Sequence, residues 1–297
     1  MNTSIIKKLS QITKTAVYKH SREIDISDNP VFIVSAANSC ALEKYIQYCR
    51  LIVVNINGCN RLLFGFSESK MDLNYDTVRY IDSQLTEFDA LYLLSYELAE
   101  FKIANIISTA ELCAYCLKLT DVPADIIEFL KFNGIKPVKE NIDLLEKLAG
   151  LNNDEKSAII KFEISRDIAE LLLLFDEIER RFFYNLFERR SFSLNNKKKL
   201  LTASFDLINS GKLDFTELTD KIDEFAGLKT NNDDLIVRHL NEMIYPELTR
   251  INQNLSEILK SLNSSKLKFD YDKTLEKPEL QCRLSIGAST ELAEIAD

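Results

Sequence analysis

Two cysteines three positions apart are the first residues whose spacing suggests chemistry. Cys113 and Cys116 form a CxxC pair, a spacing found in redox motifs and zinc sites. The surrounding AELCAYCLKL, however, reads as one helix, no second CxxC follows, and the two histidines, His20 and His239, are distant in sequence. A redox pair would need a strand leading into Cys113 and a lowered thiolate pKa. We therefore predict two core thiols and no metal site.

Other catalytic arrangements find no support in the sequence. The chain contains neither GxxxxGK[ST] nor GxGxxG, and the spacing of its two histidines indicates no Ser/His/Asp or Cys/His arrangement. Adjacent acids such as Asp233 and Asp234 point in different directions on a helix, so they do not converge on one metal or substrate. We assign no catalytic residue and no cofactor.

A basic segment is the strongest chemical signal in the chain. Between Arg180 and Lys199 stand seven basic residues and the single acid Glu188, although the whole chain has a formal net charge of −9. This asymmetry predicts an anionic partner at one face, since phosphate contacts need Lys and Arg. The alternative is a solvated amphipathic helix.

Length and composition indicate a globular protein with two or three domains. The chain has 297 residues, 46% of them hydrophobic and 28% charged, with only 7 Gly and 5 Pro, which favours helix over a turn-rich β-sandwich. No run of 18 apolar residues predicts a membrane span, and no apolar signal-peptide region is visible. With six scattered cysteines, the pattern predicts a reducing, cytoplasmic location.

The elements that must position these residues change character along the chain. Residues 1–105 predict a small α+β unit, with a helical stretch at 41–49 and β-rich runs at 31–35, 50–57, 60–66 and 77–83. From Phe88 onward, apolar residues recur every three to four positions, which predicts helix to about residue 263. Residues 266–272 and 279–286 then predict two strands, arranged as a hairpin.

Cap and breaker residues divide the helical region into short helices. We predict N-caps or first turns, and stops or breaks, at these positions: Pro123, Asn133–Gly134, Gly150, Asn153, Ser165, Ser193, Gly211 and Pro246. The fold class is thus α+β, with a helix-turn-helix-type bundle at 106–211 and a helical C-terminal region with a short hairpin at 212–297.

The order of these segments resembles the ParB-like partition proteins, which bind DNA. The matching stretches are NRLLFGFSES (60–69), VRYIDSQLTEFDALYLLSYELAE (78–100), STAELCAYCLKL (108–119), LNNDEKSAIIKFEISRDIAELL (151–172) and SFSLNNKKKLL (191–201). A tail at 243–271 also resembles some divergent members. The resemblance implies DNA as partner, a partner ATPase and a homodimer, with no membrane association.

The sequence departs from the family at its nucleotide-binding step. The resemblance implies a Gly-x-Arg-Arg box, but this chain has Gly65, Phe66, Ser67 and Glu68 there. Both arginines are lost and a carboxylate is present, which should repel a triphosphate. The family's Glu-Asn-x-x-Arg motif aligns with Glu100 to Ala104, so its Asn and Arg are also absent. We therefore predict a DNA-binding protein without a working nucleotide switch, or alternatively a non-enzymatic protein-interaction scaffold of the same fold.

The resemblance also implies where DNA would be contacted. Residues at the start of the helix corresponding to the family's recognition helix could meet phosphates or base edges, and the alternative is an ordinary capped surface helix. The charge asymmetry, and not the resemblance, predicts that the basic segment holds phosphates. The predicted contacts are Lys136, Lys139, Asn141, Arg180, Arg181, Arg189, Arg190, Lys197, Lys198 and Lys199.

Overall fold

The computed structural model describes residues 3–20, 24–25, 30–34, 51–66, 77–100, 102, 104–227, 233–263, 267–272 and 280–284. The chain divides into two compact units, Met1–Arg189 and Arg190–Asp297. The predicted boundaries at 105 and 211 stay predictions. The predicted α+β class is confirmed, because a small N-terminal sheet is followed by a mostly helical chain and a β-hairpin.

The N-terminal part of the first unit contains a four-stranded sheet and a separate two-stranded sheet. After helix α1 (Thr3–Lys14) come the strands β1 (Val17–His20), β2 (Phe32–Val34), β3 (Ile52–Ile56), β4 (Cys59–Leu62), β5 (Phe64–Phe66) and β6 (Thr77–Leu85). The larger sheet has the order β1-β6-β3-β4, with β3 parallel to β6 and the other pairs antiparallel. Strands β2 and β5 pair in parallel. The β-branched residues Ile52, Val53 and Val54 are at most 1% exposed, as expected for a central strand.

The predicted strand at 60–66 is two strands, which corrects the sequence reading. The chain changes partner at Leu63, whose N–H donates to Ile52 O at 2.9 Å and whose carbonyl accepts from Phe32 N at 3.2 Å. Strand β4 therefore pairs with β3, whereas β5 pairs with β2. An apolar run cannot reveal such a change, since every residue on both sides of it suits a strand. The predicted helix at 41–49 lies outside the described residues.

Seven helices complete the described part of the first unit. They are α2 (Glu87–Glu100), α3 (Ile106–Leu119), α4 (Pro123–Phe132), α5 (Lys139–Ala149), α6 (Asn153–Lys161), α7 (Arg166–Leu172) and α8 (Glu177–Arg189). Buried side chains of α2, α3 and α4, including Leu91, Cys116 and Phe129, join the strand residues in one core cluster. The core therefore ties the sheet to the first helices of the bundle.

Most of the predicted helix ends agree with the structure. Gly134 and Gly211 have φ angles of +72° and +67°, a region that suits glycine at the end of a helix. The cap predicted at Asn153 was wrong by one residue, because the Asn152 side chain accepts from Glu155 N at 2.9 Å. Asn152 has the extended backbone of an N-cap residue, with ψ 165°, and its side chain reaches forward to the first turn of the helix. Ser165 occupies a cap position, but its hydroxyl donates to Asp167 Oδ1 at 2.5 Å.

The second unit contains four helices and the hairpin within its described residues. They are α9 (Leu194–Asn209), α10 (Phe215–Gly227), α11 (Asp233–Ile244), α12 (Pro246–Leu262), β7 (Leu267–Tyr271) and β8 (Leu280–Leu284). Leu200, Leu207 and Leu240, all fully buried, come from α9 and α11. Pro246 starts α12 as predicted, and β7 pairs antiparallel with β8.

Candidate nucleic-acid interface

The basic segment is shared between the two units, so its two parts are described separately. Arg180, Arg181 and Arg189 belong to α8 in the first unit. Arg190, Lys197, Lys198 and Lys199 belong to the second unit, and the three lysines lie in the first half of α9.

Arg180 is part of the interior of the first unit. Its Nε donates to Glu155 Oε1 at 2.6 Å, and its NH1 donates to the carbonyl of Phe175 at 2.6 Å. The two charged side chains are only 13% and 9% exposed. Because a buried charge needs a partner, this pair holds α8 against α6, and the guanidinium is already engaged within the protein.

Arg181 and Arg189 are the exposed cations of α8. Arg181 lies one turn from Glu177, with NH2 3.3 Å from Oε1, and its side chain is 70% exposed. Arg189 is the basic residue of the last turn, where a positive charge favours the negative end of the helix dipole. Arg181 and Arg189 therefore also fit the alternative, in which α8 is an ordinary helix with a solvated charged face.

Arg190 and Lys197 are two largely buried cations of the second unit. Arg190 NH1 lies 3.2 Å from Asp233 Oδ1, and these side chains are 18% and 17% exposed. Lys197 is only 8% exposed, which is low for a lysine that would meet phosphate. The charge run in the sequence therefore combines cations that stabilise the fold with cations at the surface.

Lys198 and Lys199 line an open groove between α9 and α11. The groove has a volume of about 830 Å³. Polar residues outnumber apolar ones in the lining, with three basic residues, two acids and several neutral groups besides the apolar Ala203 and Val237: Asn195, Asn196, Lys198, Lys199, Thr202, Asp206, Asp234, Arg238, Asn241 and Tyr245. Tyr245 is 52% exposed. We call this surface the α9–α11 groove.

The charges that line the α9–α11 groove are mixed, with a small excess of bases. Lys198, Lys199 and Arg238 outnumber the lining acids Asp206 and Asp234 by one, and Arg238 Nε also lies 3.5 Å from Glu242 Oε1. Asn196 Nδ2 donates to Asp234 Oδ1 at 2.8 Å, so this carboxylate is held by the first turn of α9.

The start of α9 adds to this small excess of positive charge. Helix α9 has no acid in its first turn, and its N-cap Ser193 accepts from Asn196 N at 3.2 Å. Its first N–H groups and helix dipole thus add to the positive potential near the lysines.

The surface of α5 is different, although it also carries predicted DNA contacts. Its exposed face contains Lys139 and Lys147 but also Glu140, Asp143 and Glu146. This face therefore has one more acid than base, which opposes phosphate binding.

The predicted base contact Asn141 is already engaged within the first unit. Its Nδ2 donates to the carbonyl of Lys136 at 2.6 Å, and its Oδ1 accepts from Arg166. The amide therefore joins the turn before α5 to the start of α7, while Lys136 and Lys139 remain exposed.

The sequence missed the contribution of Arg238 to the groove. Arg238 lies on α11, about 40 positions after Lys198, and its Nε is 3.5 Å from Glu242 Oε1. Asn195 and Asn196 were also missed, although they immediately precede the lysines. No local signal identifies Arg238, because only the packing of α9 against α11 brings these side chains together.

The structure describes only two of the four residues that correspond to the family's nucleotide-binding box. Gly65 and Phe66 lie in β5, where Gly65 is opposite Ile33 in β2. Ser67 and Glu68 lie outside the described residues, so the expected loss of nucleotide binding stays a prediction.

The CxxC cysteines are buried thiols, as predicted. Cys113 and Cys116 are at most 1% exposed on α3. Burial, followed by the negative charge of Glu146, raises the pKa of the Cys113 thiol to about 11. Burial, followed by Cys113 and Asp125, raises the pKa of Cys116 to about 12. Neither thiol therefore has the thiolate character of a redox pair at neutral pH.

Comparison with protein-family models gave no match, and comparison with curated protein sequences gave none either. Within the part of the chain that the structure describes, we find no helix with the length and apolar character needed to span a bilayer.

Proposed function

We propose that this protein binds DNA through the α9–α11 groove, as a ParB-like partition protein without a working nucleotide switch. The observation that carries the proposal is the groove itself, in which basic residues exceed acids although the whole chain has a net charge of −9. Lysines and an arginine supply phosphate contacts, and neighbouring amides donate to phosphate or sugar oxygens. A partner ATPase, a homodimer and a cytoplasmic location remain predictions from the resemblance and the composition.

The proposal limits which predicted contacts take part. Arg180, Arg190 and Lys197 stabilise the fold, and their removal would weaken binding only by disturbing the structure. Lys136, in the turn before α5, and Lys139, at its start, remain exposed candidates of smaller weight, because the exposed face of α5 has more acids than bases. Lys198, Lys199 and Arg238 are the proposed main phosphate contacts.

The test is binding of the full chain to labelled random duplex DNA across a salt series. Each phosphate contact contributes about 0.9 to the slope of log affinity against log salt, so Lys198→Ala/Lys199→Ala/Arg238→Ala should lower the slope by about 2.7. The fall in affinity between about 50 and 200 mM salt would then be about 40-fold smaller than in the unaltered protein.

A matched variant controls for net charge. Lys221→Ala/Arg250→Ala/Lys268→Ala removes three positive charges from positions outside the α9–α11 groove in the same unit. This control should keep the slope of the unaltered protein. If both variants lose the same slope, binding depends on total charge and not on the groove. If the unaltered protein shows no salt-dependent binding, the DNA proposal is rejected.

The second candidate is a non-enzymatic protein-interaction scaffold, which the acidic outer face of α5 favours. Glu140, Asp143 and Glu146 form a surface suited to a basic partner. The two candidates differ in one measurement, since a scaffold would show no binding to random duplex DNA even at low salt.

A further inference from the structure

Tyr245 lies at the corner between α11 and α12, and its ring is available for contact. It is the single residue between Ile244, which ends α11, and Pro246, which starts α12, and it is 52% exposed. Among the described residues, no other aromatic ring or cation packs on the Tyr245 ring. An uncovered aromatic ring offers a flat face to a planar ligand.

The corner that carries Tyr245 is held in place within the second unit. Pro246 restricts the backbone of the residue before it. Lys212, which follows α9, donates from Nζ to the carbonyl of Met243 at 3.3 Å and to that of Ile244 at 2.5 Å. Because these contacts fix the end of α11, little further ordering of the corner is needed when a ligand binds.

Tyr245 lines two grooves of the second unit that adjoin at the same residues. One is the α9–α11 groove, where Arg238 and Asn241 are its neighbours. The same three residues also line a second groove, which lies among α11, α12 and β7 and has a volume of about 820 Å³. We call this second surface the α12 groove.

Strand β7 forms an aromatic wall of the α12 groove. Phe269 and Tyr271 are half-buried and line it, so three aromatic side chains including Tyr245 belong to this groove. Tyr271 Oη donates to the carbonyl of Asn252 at 3.0 Å, and Phe269 N donates to Asn263 Oδ1 at 2.6 Å. These bonds hold β7 against α12, so the groove is formed before any ligand enters.

The two grooves differ in charge. In the α9–α11 groove, bases exceed acids by one. In the α12 groove the acids are Glu242, Glu257 and Asp270, and the bases are Arg238 and Lys260. The rest of its polar lining consists of amides and hydroxyls. The first groove therefore suits phosphate, whereas the second suits neutral planar groups that form hydrogen bonds.

An unpaired nucleic-acid strand presents both kinds of group side by side. Its phosphates are charged, while its bases are neutral and planar and are free to stack on aromatic side chains. In a duplex the bases are paired, so a protein surface meets mainly phosphates and base edges. A duplex can therefore use only the phosphate contacts of the α9–α11 groove, whereas an unpaired strand can use both grooves.

We propose that Tyr245 stacks on an unpaired base, so that the second unit binds single-stranded DNA more tightly than duplex DNA. The proposal rests on the proposed binding of DNA in the α9–α11 groove, and it names the form of DNA that this surface prefers. Phosphates lie against Lys198 and Lys199, and the neighbouring bases enter the α12 groove beside Tyr245.

The test compares a labelled single strand of about 20 nucleotides and mixed sequence with the blunt duplex of the same sequence. The full chain is titrated into each at about 0.1 M salt, and anisotropy gives the two affinities. We expect the single strand to bind at least about fivefold more tightly, since stacking of even one base contributes that much. Tyr245→Ala should remove this preference while changing the affinity for the duplex by less than about twofold.

Conservative variants separate the ring from the fold. Tyr245→Phe keeps the ring and should keep the preference, whereas Tyr245→Leu keeps an apolar side chain at the corner and should lose it. Circular dichroism of the variants should retain the helical content of the parent. Tyr18→Ala is the matched control, because it removes a 66% exposed tyrosine from the first unit. It should leave both affinities unchanged.

The outcomes distinguish this proposal from the proposed function on which it rests. An affinity for the duplex that equals or exceeds that for the single strand overturns the preference. So does an equal loss for both forms in Tyr245→Ala and Tyr245→Leu. The proposed function survives either result if Lys198→Ala/Lys199→Ala/Arg238→Ala still lowers the salt slope. Failure to bind either form at about 50 mM salt rejects both proposals.

Discussion

Helices α5 and α9 both carry lysines predicted to contact DNA, but their surroundings differ. On α5, Glu140, Asp143 and Glu146 outnumber the exposed lysines. On α9, the first turn has no acid, and Arg238 from α11 joins Lys198 and Lys199 in one groove. The two helices thus differ in the balance of charge around their lysines, since the exposed face of α5 has more acids than bases and the lining of the α9–α11 groove has more bases than acids. The sequence pattern around each lysine supplies only part of that information.

The largest expected effect is a loss of nucleotide binding at Gly65 to Glu68, a second place where the surrounding charges decide whether an anion can bind. Ser67 and Glu68 stand where the resemblance implies arginines, and each lost charge-assisted hydrogen bond is worth about 1.5 to 3 kcal/mol. We expect calorimetry with CTP and Mg²⁺ to detect no binding. A dissociation constant in the low micromolar range would mean that other residues replace those arginines, and the absence of a nucleotide switch would have to be abandoned.

The next effect separates two neighbouring arginines of one charge run. Arg180→Ala leaves the buried Glu155 without its charged partner, with Asn152 Nδ2 still donating to its Oε2, and should reduce the free energy of unfolding by about 3 to 5 kcal/mol. Arg181→Ala removes a 70% exposed side chain and should change it by less than about 1 kcal/mol. Urea denaturation of the two variants measures this difference. Equal effects would show that burial does not distinguish the two positions.

The sequence predicted those parts of the fold that depend on local patterns. The β-branched run at 52–56, the glycines that end helices and the two strands after residue 266 all carry local signals, and each was found close to its predicted position. The change of strand partner at Leu63 left no such signal. The helix at 3–14 and the strand at 17–20 were also not identified, and the exposed Val17 and Tyr18 do not alternate with polar residues as a half-buried strand would.

The candidate site was less predictable, because tertiary contacts decide the role of each charge. Arg180 and Arg181 are equivalent in a sequence, yet only Arg180 lies next to Glu155 from another helix. Likewise, Arg238 belongs to the groove only because α11 packs against α9. A charge run predicts that some cations are near the surface, but it cannot say which are engaged in ion pairs.

A smaller effect tests the comparison of α5 with α9 directly. Lys136→Ala/Lys139→Ala should lower the slope of log DNA affinity against log salt by less than about one unit, since the exposed face of α5 has more acids than bases. Lys198→Ala/Lys199→Ala should lower it by about two units. Anisotropy titrations of both double variants against the same random duplex provide the measurement. The reverse order would place the phosphate backbone on α5.

The smallest effect compares the buried Tyr184 with the half-buried Tyr115, both in the first unit. Tyr184 is 7% exposed and its hydroxyl has no hydrogen-bond partner among the residues that the structure describes, whereas the Tyr115 hydroxyl accepts from Ile33 N at 2.8 Å and donates to Ile33 O. Because an unpaired buried hydroxyl costs free energy, Tyr184→Phe should raise the free energy of unfolding by about 1 kcal/mol at neutral pH. Tyr115→Phe leaves two backbone groups of Ile33 without that partner and should lower it by a similar amount.

The difference between Tyr184 and its phenylalanine variant should grow at alkaline pH. Burial, followed by the negative charge of Glu155, raises the pKa of Tyr184 above its ordinary value of 10.0, while Arg180 lowers it. The unfolded chain therefore releases the tyrosine proton at a lower pH than the folded chain. The stability that the folded state gains from the protonated hydroxyl is complete below pH 10.0 and is lost as the pH rises toward the folded pKa. Tyr184→Phe removes this loss, so urea denaturation should show a larger gain for the variant above that pH than at neutral pH. A gain that shrinks with rising pH would show that the hydroxyl is paired or solvated in the folded protein.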